Sequence, residues 1–175
     1  MSSQQEQNVL LDAPGLAAAV ELVSNSIRIR HGNKPLALVG LLSRGDLLAR
    51  RIAAKLREQG QEIELGYIDI SLYRDDLGQG SNPTLRSSHL PFSVDDAHII
   101  LVDDVLFTGR TIRAALNAVM DYGRPAKVEL AVLVDRGGRE MPIQPDYIGY
   151  TSLHPGARIA VSLTESDGMD RVILD

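Results

Sequence analysis

Residues 99–111, IILVDDVLFTGRT, decide the reading of this chain. Four apolar and mostly branched residues (99–102) are too few for a helix. No polar residue alternates with them, so they predict a buried strand, parallel to its neighbours. Two adjacent carboxylates, Asp103 and Asp104, are expected to end it. Phe107, Thr108, Gly109, Arg110 and Thr111 follow, and then Ile112, Ala115, Leu116, Val119 and Met120 recur at helical spacings. A strand, a turn bearing Gly and Thr, and a helix together suit an anion. The N–H groups of a first helical turn have no intrahelical acceptor, and the helix dipole favours negative charge there. Gly109 lets the backbone come close, and Thr108 and Thr111 add hydroxyl donors. The acid pair would repel a phosphate; it suits sugar hydroxyls or a hard divalent cation. Phosphate, hydroxyls and a cation together describe a phosphorylated sugar. The simpler alternative is that Thr108 or Thr111 merely caps a helix.

Composition narrows the setting. With 175 residues, 44% hydrophobic and 23% charged, the chain predicts one domain with a full core and no second domain or internal repeat. No apolar run approaches the ~18 residues of a membrane span. The N-terminal MSSQQEQN does not read as a secretory signal. The chain has no cysteine, which excludes thiol redox chemistry and fits a reducing cytoplasm, the expected location. A formal net charge of −5 supplies no general attraction to nucleic acid.

Outward from the central stretch, residues 1–12 read as a tail or a short strand at 9–11. Pro14, with Asp12 as cap, opens a helix through Leu16, Val20, Val23 and Ile27 that stops at 31–33. A buried strand at 36–42 leads through the turn Ser43-Arg44-Gly45 into a helix carrying Leu48, Ile52 and Leu56. Residues 62–70 predict a strand whose apolar parity switches, through a bulge or burial on both faces near Gly66. Residues 71–91 are rich in Gly, Ser, Asn and Pro and read as a flexible functional loop. Strands are expected at 128–134, 147–151, 158–163 and 171–174. Strands alternating with helices make an α/β fold with a mainly parallel sheet. Ligands then collect where the loops 43–45, 103–111 and 135–139 follow the strands.

The segments LVGLLSRG, IDISLYRDDL, IILVDDVLFTGRT, DYGRPAKVELAVLVDRGGREMPI and PDYIG extend this pattern over roughly residues 10–150. Residues 99–111 resemble the phosphoribosyl-pyrophosphate signature of type I phosphoribosyltransferases. In order and spacing the whole set resembles the family of bifunctional pyrimidine-operon attenuation regulators and uracil phosphoribosyltransferases. The resemblance implies the type I fold with a small hood and a flexible loop. It also implies the conversion of uracil and phosphoribosyl pyrophosphate to UMP and pyrophosphate with Mg2+, binding of attenuator RNA when UMP is bound, and a homodimer or larger homo-oligomer.

By position, Asp103 and Asp104 would hold the ribose hydroxyls or the metal, as the catalytic acids. Residues 107–111 would cradle the 5′-phosphate. Ser43, Arg44 and Gly45 would form the pyrophosphate loop, with a cis peptide at Leu42–Ser43, joined by Arg74 from a closing hood. Asp135, Arg136, Gly137, Met141 and Tyr150 would form the base pocket. Asp135 has two readings, acceptor for the base or partner of Arg136 or Arg139.

Phe107 stands where purine-salvage relatives carry an acid–base aspartate, and an aromatic ring cannot transfer protons, so it favours a pyrimidine. Tyr150, a stacking aromatic where the regulators usually have lysine, leaves a 6-oxopurine enzyme as a rival reading. On the RNA side, Gly138, Gln144 and Tyr150 replace His, Arg and Lys, and Glu21, Leu22 and Asn25 replace further polar contacts on the first helix. Arg28, Arg30, His31, Arg136 and Arg139 remain. Catalysis or UMP sensing for RNA binding are the two readings of the chain's main task.

Overall fold

The computed structural model describes residues 8–73 and 88–175. Its centre is a five-stranded sheet in the order β3-β2-β4-β5-β6, every neighbouring pair parallel. The strands are β2 (Leu36–Leu41), β3 (Ile63–Ile68), β4 (His98–Leu106), β5 (Lys127–Asp135) and β6 (Tyr147–Thr151). β2 is buried along its whole length, as a strand covered on both faces must be. Helices α1 (Ala13–His31) and α2 (Gly45–Glu58) pack one core with Leu38, Ile100, Val102 and Leu133. Helix α3 (Arg110–Met120) packs a second core with Val39, Ile99, Leu101 and Val132. α1 begins as its sequence requires: Asp12 accepts a hydrogen bond from Gly15 N–H at 2.9 Å, with Pro14 in the first turn.

A three-stranded antiparallel sheet in the order β1-β8-β7, called the hood from here on and distinct from the 71–91 segment expected to close over the site, is built from the two chain ends: β1 (Val9–Leu11), β7 (Ile159–Ser162) and β8 (Arg171–Leu174). Residues 9–11 are therefore a paired strand rather than part of a tail. They pair with β8 through Val9–Ile173 and Leu11–Val172, a contact between opposite chain ends that local patterning cannot reveal. A short helix α4 (Thr164–Asp167) joins β7 to β8.

Three other expectations change. β4 does not end at the acid pair but runs on to Leu106, because pairing with β5 continues through Asp103–Val132, Val105–Val134 and Leu106–Asp135. β3 pairs with β2 in unbroken register, so Gly66 marks burial on both faces and no bulge. The ends of the 71–91 loop are structured: Ser71–Tyr73 is a 3-10 turn, and Tyr67 bridges to His89. The rest of that loop, 74–87, lies outside the described residues.

Gly45 shows how tightly the β2–α2 turn sits on β4. A side chain there would place its Cβ 2.4 Å from the Val102 carbonyl oxygen and 3.3 Å from Asp103 Cα. Without one, the turn lies directly beside the acid pair.

The hood is fastened to α2 by charge. Arg51 donates to Asp170 at 2.8 and 2.9 Å and to Glu165. Its hydrogen bonds hold the Asp170 carboxyl far below the usual carboxylate range and lower Glu165 as well. This attachment is present at pH values above the ordinary carboxylate pKa and disappears as pH falls through the depressed values. Replacing Arg51 by Met is expected to cost about 1–2 kcal/mol at neutral pH. The gap in thermal midpoint between Arg51→Met and the parent should close at strongly acidic pH.

Candidate active site

Because β2, β4 and β5 are adjacent and parallel, the loops that follow them emerge side by side. Asp103 and Asp104 occupy the last half of β4. Asp103 is 6% exposed, and its Oδ1 accepts from Asp104 N–H at 2.9 Å; Asp104 Oδ1 accepts from Val105 N–H at 2.8 Å. Burial pushes the Asp104 carboxyl above its ordinary range. Hydrogen bonding with Asp103 and Val105, and the charge of Arg44, offset this only in part. Two crowded carboxyls in such surroundings are best satisfied by hydroxyl donors or by a hard cation.

The phosphate-type turn follows. Gly109 is the N-cap of α3, with φ +90°, and Thr108 Oγ1 accepts from Arg110 N–H at 3.2 Å. Neither Thr108 nor Thr111 is the cap residue itself. Glycine at this position gives the first turn of α3 no side-chain cap of its own, the kind of helix mouth that suits an anion.

Behind this turn, residues 135–141 act as a brace. Arg136 N–H donates to Leu106 O at 2.9 Å, and the Glu140 and Met141 N–H groups donate to Thr108 O at 2.8 and 3.0 Å. Arg139 is the staple: its guanidinium donates to Phe107 O at 2.9 Å, Ile143 O at 2.8 Å and Asp135 Oδ1 at 2.9 Å. The Asp135–Arg139 pairing weighed from sequence is therefore present, and Asp135 Oδ1 also accepts from Gly137 N–H. Arg110 pairs with Glu140 across the same turn at 2.7 Å.

Beside the brace opens a cleft of about 400 Å³, lined by Phe107, residues 135–138, residues 151–153, Pro155 and Gly156. Arg136 lies over the Phe107 ring at 3.8 Å from its centroid. Gly138, with φ +79°, lies under the same ring; a Cβ there would meet Phe107 Cε2 at 2.6 Å. The histidine usual at this place in the resembling family would require the ring to move. Of the residues expected in a base pocket, Asp135, Arg136 and Gly137 line the cleft. Met141 does not; it packs beside Gly109. Tyr150 does not either: β5–β6 pairing sets it opposite Val134, where it packs on the first core. Thr151, Ser152, Leu153, Pro155 and Gly156 complete the lining of this cleft.

The second turn has the cis peptide Leu42–Ser43 that the resemblance implies, and Arg44 follows at φ +74°. The Arg44 guanidinium is turned to the hood, donating to Asp167 at 2.9 and 3.2 Å. Ser43, Arg44, Asp46 and Leu47, with Glu165 and Ser166, line a cleft of about 310 Å³. Arg74, expected at the pyrophosphate, lies outside the described residues.

Three hydrogen bonds from one guanidinium make Arg139 the residue on which the brace depends. Arg139→Met, which keeps the aliphatic stem, is expected to lower stability by about 2 kcal/mol. Denaturant unfolding should show that loss, whereas the same change at the exposed Arg158 should be nearly neutral.

Comparison with known proteins gives the same result at the level of family. The phosphoribosyl transferase domain model matches residues 6–166. The bifunctional protein PyrR of Akkermansia muciniphila is 57% identical over 169 residues, covering 96% of both chains. That of Desulfosudis oleivorans is 47% identical over 176 residues, covering 98% of this chain and 97% of the relative. Among solved structures, a hypoxanthine phosphoribosyltransferase of Trypanosoma cruzi in a ternary substrates complex superposes with a TM-score of 0.75. It covers 96% of this chain and 95% of its own at 20% identity, a likeness of fold alone. With relatives matched over nearly their whole length named bifunctional protein PyrR, and the purine enzyme similar only in fold, the chain belongs to the PyrR family of bifunctional phosphoribosyltransferases.

Proposed function

We propose that this cleft transfers the ribosyl 5-phosphate of phosphoribosyl pyrophosphate to uracil, releasing UMP and pyrophosphate. One observation carries the reading: an acid pair on β4, Asp103 buried and Asp104 half-buried, stands immediately before a helix mouth that Gly109 leaves without a side-chain cap, with the β2–α2 turn pressed against it at Gly45. The family supports the choice of uracil, and the Phe107 ring, held by Arg136, stands where a purine enzyme would need a proton carrier. The 6-oxopurine reading has only fold likeness behind it.

In this reading the helix mouth at residues 108–111 binds the 5′-phosphate, and Asp103 and Asp104 accept from the two ribose hydroxyls. Breaking the bond from the anomeric carbon to pyrophosphate leaves oxocarbenium character on the sugar, which nearby carboxylates stabilise and water would trap. Ser43, Gly45 and the backbone of Arg44 face the leaving group. Pulling Arg44 off Asp167 would add its charge there. The carboxylates of Asp103 and Asp104 are the right donor set for Mg2+, which when bound neutralises charge on the departing pyrophosphate. The base lies in the cleft between Phe107 and residues 151–156, where backbone groups of 135–138 read its edge.

Asp103→Asn combined with Asp104→Asn is expected to reduce UMP formation by at least about 100-fold while leaving the melting profile close to the parent's. Full activity in that variant would remove the acid pair from the reaction. In the same assay uracil should be converted, with little product from hypoxanthine, guanine or orotate.

The PyrR relationship also supports UMP-dependent association with attenuator RNA. The basic residues left for it are already engaged within the chain. Arg28 donates to Gln59 O, Arg30 meets Glu129 and Asp146, His31 is buried, Arg136 lies on Phe107 and Arg139 is the staple. Glu21 pairs with Lys55. Each of these basic residues has an internal partner to give up before it can displace a counterion from a phosphate. Titration of attenuator hairpins with UMP is expected to show binding with a shallow dependence on salt. No UMP-dependent shift at low salt would leave catalysis as the sole activity.

A further inference from the structure

At the other end of the sheet from the cleft, the last residue of α1 meets the starts of β4 and β5. His31 Nε2 lies 2.8 Å from Glu129 Oε2, and His98 Nε2 lies 3.2 Å from the same oxygen. The two imidazole rings are edge to face at 4.5 Å. One nitrogen from each histidine and one carboxylate oxygen lie within 4.8 Å of one another. Tyr147 OH donates to Glu129 Oε2 at 2.8 Å, holding the carboxylate in place. The two cations beside Glu129, Arg30 at 3.4 Å and Lys127 at 3.2 Å, both approach Oε1 and leave the Oε2 side to the histidines and Tyr147 OH, which also lies 2.9 Å from His31 Nε2.

One atom in this cluster has no role in a hydrogen-bond network. His98 Nε2 is closed off from solvent and makes no hydrogen bond among the described residues, although it is aimed at Glu129 Oε2. Buried polar nitrogens nearly always have a partner, so this one points to a partner outside the polypeptide. Two imidazoles and a carboxylate are a donor set for zinc-like ions. Tetrahedral ligands about 2.1 Å from such an ion are separated by roughly 3.4 Å. The 2.8 and 3.2 Å separations reach that value with small side-chain rotations. A hard ion such as Mg2+ prefers an all-oxygen shell.

We propose that His31, His98 and Glu129 bind one divalent transition-metal ion of the zinc class, with water in the fourth position. The site is separate from the catalytic acids, since His98 and Asp103 stand about 16 Å apart along β4. The ion would tie the end of α1 to β4 and β5 and stabilise the base of the sheet.

The test uses the intact chain, stripped with chelator and held in excess Mg2+ to occupy the acid pair. Zn2+ is added in a calorimeter, and Co2+ is followed by visible absorption. The expected result is one Zn2+ per chain, a raised thermal midpoint and the intense visible bands of Co2+ in a tetrahedral nitrogen–oxygen site. His98→Gln, a change at a partly exposed ring, should weaken Zn2+ at least about tenfold and abolish the Co2+ bands, whereas His154→Gln should bind as the parent does. The proposal is overturned if the parent binds Zn2+ no more tightly than His98→Gln, or if Mg2+ competes the ion away. Either result would make the cluster a hydrogen-bonded junction and nothing more.

Discussion

Parallel pairing of β4 between β2 and β5 is the constraint from which the rest of the molecule follows. Parallel strands deliver their following loops to one edge, so the acid pair, the β2–α2 turn and the 135–141 segment are neighbours before any side chain is chosen. Burial on both faces is the cost of that arrangement. It is met by two separate cores, one under α1 and α2 and one under α3. The continuation of β4 to Leu106 carries the acids into the paired part of the strand, so the sheet itself holds their backbone still.

Rigidity at this edge has a chemical purpose. A site that works by placing donors and acceptors around a developing cation gains only if those groups do not have to reorganise. Arg139 supplies much of that order, connecting Phe107, Ile143 and Asp135 through a single planar group. A lysine, with one point charge, could not span the three acceptors. Arg44 is held differently. Its partner, Asp167, lies in α4 between β7 and β8, so an ion pair joins the β2–α2 turn to the small antiparallel sheet.

The same economy shapes the surface. Basic residues that might have formed a nucleic-acid face are spent on internal contacts: Arg136 on Phe107, Arg139 on the brace and Arg30 on Glu129.

Local chemistry made much of this legible in one dimension. The apolar run at 99–102, the acid pair, the Gly109 turn and the helical spacing after it depend only on neighbours a few residues away, and so do the Asp12 cap and the 43–45 turn. What pairs with what over long distances had to come from the folded chain. The joining of residues 9–11 to 171–174, the Arg44–Asp167 contact, the meeting of Phe107 and residues 135–138 with Thr151, Pro155 and Gly156 around one cleft, and the meeting of His31, His98 and Glu129 all bring together groups whose periodicity carries no record of each other. Backbone preference and hydrophobic period act over a few residues. Packing acts over the whole fold, and it alone selects which distant side chains share a space.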